Sequence, residues 1–215
     1  MSKKLYAVGV NDANYTVTGY SEVDGKLKQT WRCPYYKVWT NMLKRCYCPK
    51  YQVTMPTYKA ATVDPEWFSF TAFKSWMEEQ VWEGLELDKD ILSAGGKVYS
   101  KETCCFVPRR INSILLINPE TRGPYPLGVS LTPSGKYQAV CKDVSAKAKG
   151  LGTFYTEMQS HSAWQMFKSK VIQEVAGAYL KEVYGREGVY TNLMNIANKL
   201  VDESKQGKET VSMWS

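Results

Sequence analysis

Residues 119–126 read PETRGPYP, three prolines and a glycine in eight positions. Proline fixes φ and removes a backbone donor, so neither a helix nor a central strand runs through such a stretch. The 215-residue chain is therefore expected to fold in two parts, each with its own core. At 44% hydrophobic and 23% charged residues it can bury one good core or two small ones. No run approaches the roughly 18 uncharged apolar residues of a membrane span. The opening MSKKLYAVGV follows its basic residues with only a short mixed run, so no secretory signal is expected. Six cysteines (Cys33, Cys46, Cys48, Cys104, Cys105, Cys141) in a chain this long do not suggest a secreted disulfide scaffold. A soluble cytoplasmic protein with reduced thiols and no membrane partner is expected.

Periodicity fills in both parts. Alternation over residues 5–10 and 15–20 predicts an N-terminal hairpin. Val38, Trp39, Met42, Leu43 and Cys46 predict a helix over 36–46, stopped near Pro49; Trp67, Phe70, Phe73, Trp76 and Met77 predict another over 66–81. Residues 85–116 read strand, loop, strand, then a helix opening at Pro108. Beyond the prolines, three short strands are expected at 127–131, 137–142 and 151–155. A long helix follows at 156–184 with Ala163, Trp164, Phe167, Val171 and Val175 facing in, then an amphipathic helix at 190–202 and a polar tail. The expected class is α+β, divided as 1–35 (hairpin), 36–118, 127–184 and 185–215.

The net charge is +7, and its distribution points to a partner. Residues 1–122 carry 17 basic against 13 acidic side chains, 123–170 carry 6 against 2, and 171–215 carry 5 against 6. From Trp31 to Ala60 six basic residues stand without an acid (Arg32, Lys37, Lys44, Arg45, Lys50, Lys59), interleaved with five tyrosines. Cations that neutralise phosphates beside rings that stack suit a polyanion; a solvated face over core tyrosines gives the same composition.

Residues 85–112 are the segment that suggests chemistry. Asp88 and Asp90 end an apolar strand, and a strand–turn–strand–helix unit can hold a divalent ion between its hairpin and its helix. Oxygen ligands suit Mg²⁺ or Mn²⁺, which stabilise the leaving oxygen of a cleaved phosphodiester. Asn112, early on the helix, is placed to complete the set.

Across residues 36–116 the chain resembles the phage and bacterial HNH endonucleases of homing type. The matching residues are Tyr36-x-x-Trp39-x-x-Met42-x-x-Arg45-Cys46, Glu66-Trp67-x-x-Phe70-x-x-Phe73, Leu87-Asp88-Lys89-Asp90, Tyr99-Ser100-x-Glu102-Thr103-Cys104 and Val107-Pro108-x-x-x-Asn112. The resemblance implies a central ββα-metal domain with Asp88 as metal ligand and Asn112 as the helix asparagine. Lys89 stands where that family has its catalytic histidine, and the one histidine, His161, lies beyond the prolines, where a surface or capping role is expected. A lysine at its ordinary pKa of about 10.4 is protonated and deprotonates no water. Catalytic work would then fall to Asp88, Lys89, Asp90 and Asn112 together, Lys89 holding a phosphate and Asp90 or a second metal-bound water acting as base. Cys46, Cys48, Cys104 and Cys105 could supply a structural Zn²⁺ site, although their spacing departs from the usual pattern and buried free thiols suit it better.

Residues 127–170 resemble the AP2 DNA-binding domain, on Leu127-Gly128-Val129, Gly135-Lys136-Tyr137-Gln138-Ala139, Leu151-Gly152-Thr153-Phe154 and Ala163-Trp164-x-x-Phe167-Lys168. That resemblance implies a three-stranded sheet lying in the major groove of double-stranded DNA, braced by one helix and followed by a helical tail. Candidate duplex contacts are Lys44, Arg45, Arg109, Arg110, Lys136, Tyr137, Gln138, Lys142, Lys147 and Lys149. Three readings follow. One is a phage-type, metal-dependent DNA endonuclease or nickase; the second is a non-catalytic HNH-derived DNA-binding protein serving as regulator or anti-defence factor. The third is an interaction module whose basic face meets an acidic partner.

Overall fold

The computed structural model describes residues 4–117 and 123–214 and separates into two units, Met1–Val107 and Pro108–Ser215. The class is mixed α+β, with small sheets in both units. The division falls ahead of the proline-rich stretch, whose residues 119–122 lie outside the described residues.

In the first unit the hairpin is present but displaced. Strands β1 (Thr18–Val23) and β2 (Lys26–Arg32) pair antiparallel around Asp24-Gly25, at φ 54° and 70°. Two left-handed residues in sequence are what a type I′ turn requires, and Asp-Gly supplies them. Residues 5–9 instead fold on themselves through a Leu5–Gly9 bridge, and Val10 runs parallel to Ser69. Most of the ribbon is exposed, anchored where Cys33 N–H donates to Val17 O at 2.9 Å.

Helix α1 (Pro34–Tyr47) opens on proline, buries Trp39, Met42, Leu43 and Cys46 on one stripe, and stops before Pro49, where the short α2 (Pro49–Thr54) begins. The helix expected over 66–81 is broken in two. A 3₁₀ turn (Pro65–Phe68) ends at Ser69, and α3 (Phe70–Glu78) starts anew with the Ser69 hydroxyl accepting from Ala72 N–H at 3.1 Å. The break has a cause in the N-terminal segment: Val10 takes Phe68 O and Phe70 N–H, while the Asp12 carboxylate accepts from Thr71 N–H at 2.9 Å. Trp39, Trp67, Phe70 and Phe73 are almost fully buried and make tilted or edge-on ring contacts, and Trp39 Nε1–H donates to Trp67 O at 2.7 Å. Below them lie β3 (Thr62–Val63), parallel to β5 (Val98–Tyr99), and β4 (Glu86–Asp88), antiparallel to β6 (Cys105–Val107).

The second unit begins with α4 (Arg109–Leu115). Its sheet runs β7 (Val129–Leu131), β8 (Tyr137–Lys142), β9 (Ala148–Phe154), all antiparallel in that order. β9 starts earlier than its apolar residues suggest, because the Asp143 carboxylate closes a tight turn on Ser145 N–H (2.8 Å) and Lys147 N–H (3.1 Å). Ala139 and Cys141 point to the covered face, against α5 (Glu157–Leu180), which opens on a capping box of Thr156 and Gln159. Gly128 sits at φ 75° with its Cα against the Trp164 indole; a Cβ there would fall 1.9 Å from the ring. Helix α6 (Glu187–Lys205) returns along α5, as Ser162–Ser204 and Ser169–Ala197 contacts show.

Two expectations change here. His161 is not at the surface: it is fully buried, with Nδ1 2.9 Å from Leu127 O and Nε2 accepting from Thr210 N–H at 2.9 Å. The acceptor role of Nε2 places the neutral ring's proton on Nδ1, which donates to Leu127. The polar tail is likewise docked, with Thr210 and Met213 buried, Gln165 donating to Lys208 O at 2.9 Å and Lys199 donating to Ser212 O at 2.6 Å.

Candidate functional site

β4 delivers Asp88 into a tight turn rather than into an open cleft. Its Oδ1 accepts from Asp90 N–H at 2.9 Å and Ile91 N–H at 2.8 Å. Burial pushes the carboxyl up to about 6; the neighbouring Asp90 charge adds to this, and the two amides and Lys89 oppose it.

Lys89 is 5% exposed, and its ammonium is fully employed. Nζ donates to Asp90 Oδ1 at 2.5 Å and to Gly96 O at 2.9 Å, and lies 5.7 Å from the Tyr99 ring centre. The loop it spans is closed again by Gly95 N–H donating to Asp90 O at 2.8 Å and Ser93 Oγ donating to Lys89 O at 2.5 Å. Arg45 also turns inward, 5.7 Å over the Tyr58 ring and 3.5 Å from Tyr99 Oη, which removes it from the exposed basic set. Lys44 remains exposed at the end of α1, over the Tyr51 ring.

This arrangement does not fit Mg²⁺ or Mn²⁺. The Asp90 carboxylate neutralises Lys89, and Asp88 Oδ1 holds two amides. Among the described residues no three His, Cys, Asp or Glu side chains are grouped to hold a metal. Asp88 belongs to the first unit and Asn112 sits half-buried on α4 in the second. Cys46, Cys104 and Cys105 are buried free thiols and Cys48 is half-buried; burial pushes Cys46 up to about 12 and Cys104 higher still. No Zn²⁺ ligand set forms from them among the described residues.

The second unit offers a different surface. Register places Ser130, Gln138 and Thr153 side by side across the three strands, on the face opposite the buried Ala139 and Cys141. Ser130 and Thr153 are exposed and Gln138 half-exposed, with Gly150 leaving room beside the Gln138 amide. Lys136, Lys142 and Lys147 flank this row, exposed. The acid beside them, Asp143, is held below the ordinary carboxylate range by the Ser145 hydroxyl and Lys147 amide.

Other expected contacts face elsewhere. Lys149 pairs with Cys141, and its Nζ lies 5.1 Å over Phe167 on α5. Tyr137 meets Tyr125 edge-on at 5.6 Å; Arg109 and Arg110 are both exposed, and Arg110 bonds Glu182 at 2.5 Å. Sequence periodicity passed over Lys168, buried one turn after Trp164 on the inward stripe of α5; its position between Trp164 and Ile172 was the available signal.

Compared with protein-family models, with curated proteins and with solved structures, the chain matches none.

Proposed function

We propose that this protein binds double-stranded DNA through the open face of β7–β9, without dependence on a divalent metal. The observation that carries the reading is the cross-strand row Ser130–Gln138–Thr153 flanked by exposed lysines. Adjacent strands lie about 4.8 Å apart, so the row offers donors and acceptors at a spacing suited to base edges. Gln reads adenine bidentately, and Ser or Thr reads either partner. Lys136, Lys142 and Lys147 supply phosphate contacts that set register on the duplex. The residues shared with AP2 domains support the same placement, and those shared with HNH endonucleases suggest a phage-type descent in which the first unit serves as scaffold. No helix among the described residues is long and apolar enough to cross a membrane.

A second reading, phosphodiester hydrolysis in the first unit, is favoured by the Asp88 carboxyl at about 6, close to the pH at which a general base works. The two amides on its Oδ1 give that carboxylate a structural task instead. Incubation with supercoiled plasmid in Mg²⁺ or Mn²⁺, run beside a band-shift on linear duplex, separates the two. A shift with intact plasmid is expected; relaxation or linearisation that disappears in Asp88→Ala would install the nuclease reading.

A further inference from the structure

Within the second unit a cavity of about 330 Å³ lies between the start of the sheet and α5. Its lining divides about evenly between polar and apolar surface, the apolar part including Leu127, Val140, Trp164 and Met213, with Ser130 a further lining residue. Lys168 also lines it, at 9% exposure.

The setting of this lysine is unusual for a buried cation. Neither a carboxylate nor a carbonyl accepts from its Nζ, and no acid lines the cavity among the described residues. Burial holds the amine below the ordinary lysine range; the Cys141 side chain works against this and Lys142 adds to it. The stem of Lys168 is buried while its Nζ is not among the fully buried unpartnered atoms and so opens onto the cavity; a poorly hydrated cation without a carboxylate partner either sheds its proton or acquires a counter-ion. The cavity leaves space for the second outcome. Its volume is that of about ten waters in the liquid, at the lower end of the range for small-molecule sites, and its combination of apolar side chains with one oriented charge is what such sites use.

We propose that this cavity binds a small organic oxyanion with an apolar body, its anionic head paired to Lys168 and its body laid against Trp164, Val140 and Met213. The cavity shares Ser130 with the cross-strand row of the sheet, but the proposal does not rest on duplex binding. A bare inorganic anion would satisfy the lysine but leave the apolar side chains uncovered, while a neutral apolar molecule would cover them and leave the amine unpaired.

The test is calorimetric titration of the full chain with 2-naphthoate and with octanoate, against 2-naphthalenemethanol and inorganic phosphate as controls. Saturable binding of a carboxylate, at least tenfold weaker in Lys168→Met and absent or tenfold weaker for both controls, is expected. Lys168→Met should melt at or above the parent temperature, because the substitution removes the unpaired charge. If that variant fails to fold, Val140→Phe decides, since it narrows the cavity and keeps the lysine; lost binding supports the site and unchanged binding overturns it. Failure of both carboxylates to bind, equal binding by the alcohol or by phosphate, or undiminished binding in folded Lys168→Met would each overturn the proposal.

Discussion

Two buried lysines divide this molecule. Lys89, in the first unit, gives its ammonium to Asp90, Gly96 O and the Tyr99 ring. Lys168, in the second, is almost as deeply buried and among the described residues has neither a carboxylate nor a carbonyl on its Nζ. The same side chain thus plays opposite parts. A paired ammonium organises the loop that carries it, and an unpaired one is a standing demand for an anion. The comparison also bears on what the first unit does. The position at which the family resemblance leads one to look for a catalytic base is occupied by an internal cation, already neutralised.

Opposite effects on stability follow, and the largest belongs to Lys89. Removing one partner of a buried pair costs about 3–5 kcal/mol when the other is left buried. Asp90 is 32% exposed and can be rehydrated, so Lys89→Met should lower the urea-unfolding free energy by about 2–4 kcal/mol. A loss below about 1 kcal/mol would mean that the ammonium does not organise the loop. Lys168→Met should do the reverse, leaving stability unchanged or raised by about 1 kcal/mol.

His161 extends the contrast to a polar group that is fully satisfied. His161→Ala strands Leu127 O and Thr210 N–H and opens a cavity beside Trp164, and should cost about 2–4 kcal/mol with early loss of the docked tail. Protease resistance of the C-terminal tail reads this directly, and an unchanged cleavage rate would dismiss the clamp.

Asp88 adds a pH signature in the first unit. Its folded pKa of about 6 lies above the unfolded value of about 3.9, so between those values the folded state binds more protons. This group therefore favours folding in acid, and its contribution is lost as pH rises through about 6, by up to about 3 kcal/mol. Asp88→Asn keeps an acceptor for the two amides and should flatten that slope in urea melts at pH 4.5 and 7.5. A slope that survives the substitution would assign it to other groups. The smallest effect is expected at the surface, where Lys142→Ala should reduce the salt slope of duplex binding by about 1.

Local signals made some of this legible and long-range partners hid the rest. The stripe of Trp39, Met42, Leu43 and Cys46 between two prolines announces α1, and turn residues bracket β7 to β9 closely enough to place them. The first hairpin was misplaced because Leu5, Ala7 and Gly9 imitate strand alternation, while Asp24-Gly25 carried the stronger turn signal. Ser69 interrupts an apolar helical stripe only because Val10 and Asp12 reach it from far along the chain. His161 meets Thr210 across 49 residues, and no pattern around either announces the contact. At the candidate site, the identity of Lys89 was visible in sequence but its pairing was not. The outward row on the sheet follows from strand register, which the turns define.

On the proposed function, duplex DNA is held by the open sheet face and needs no metal. The most direct test is fluorescence anisotropy of a labelled duplex titrated with the full chain in EDTA at several salt concentrations, beside the double variant Gln138→Ala/Lys142→Ala. The account predicts binding in EDTA, a log–log fall of affinity with salt, and weaker binding with a shallower slope in the variant. Binding that vanishes in EDTA, or that the double substitution leaves untouched, would contradict it.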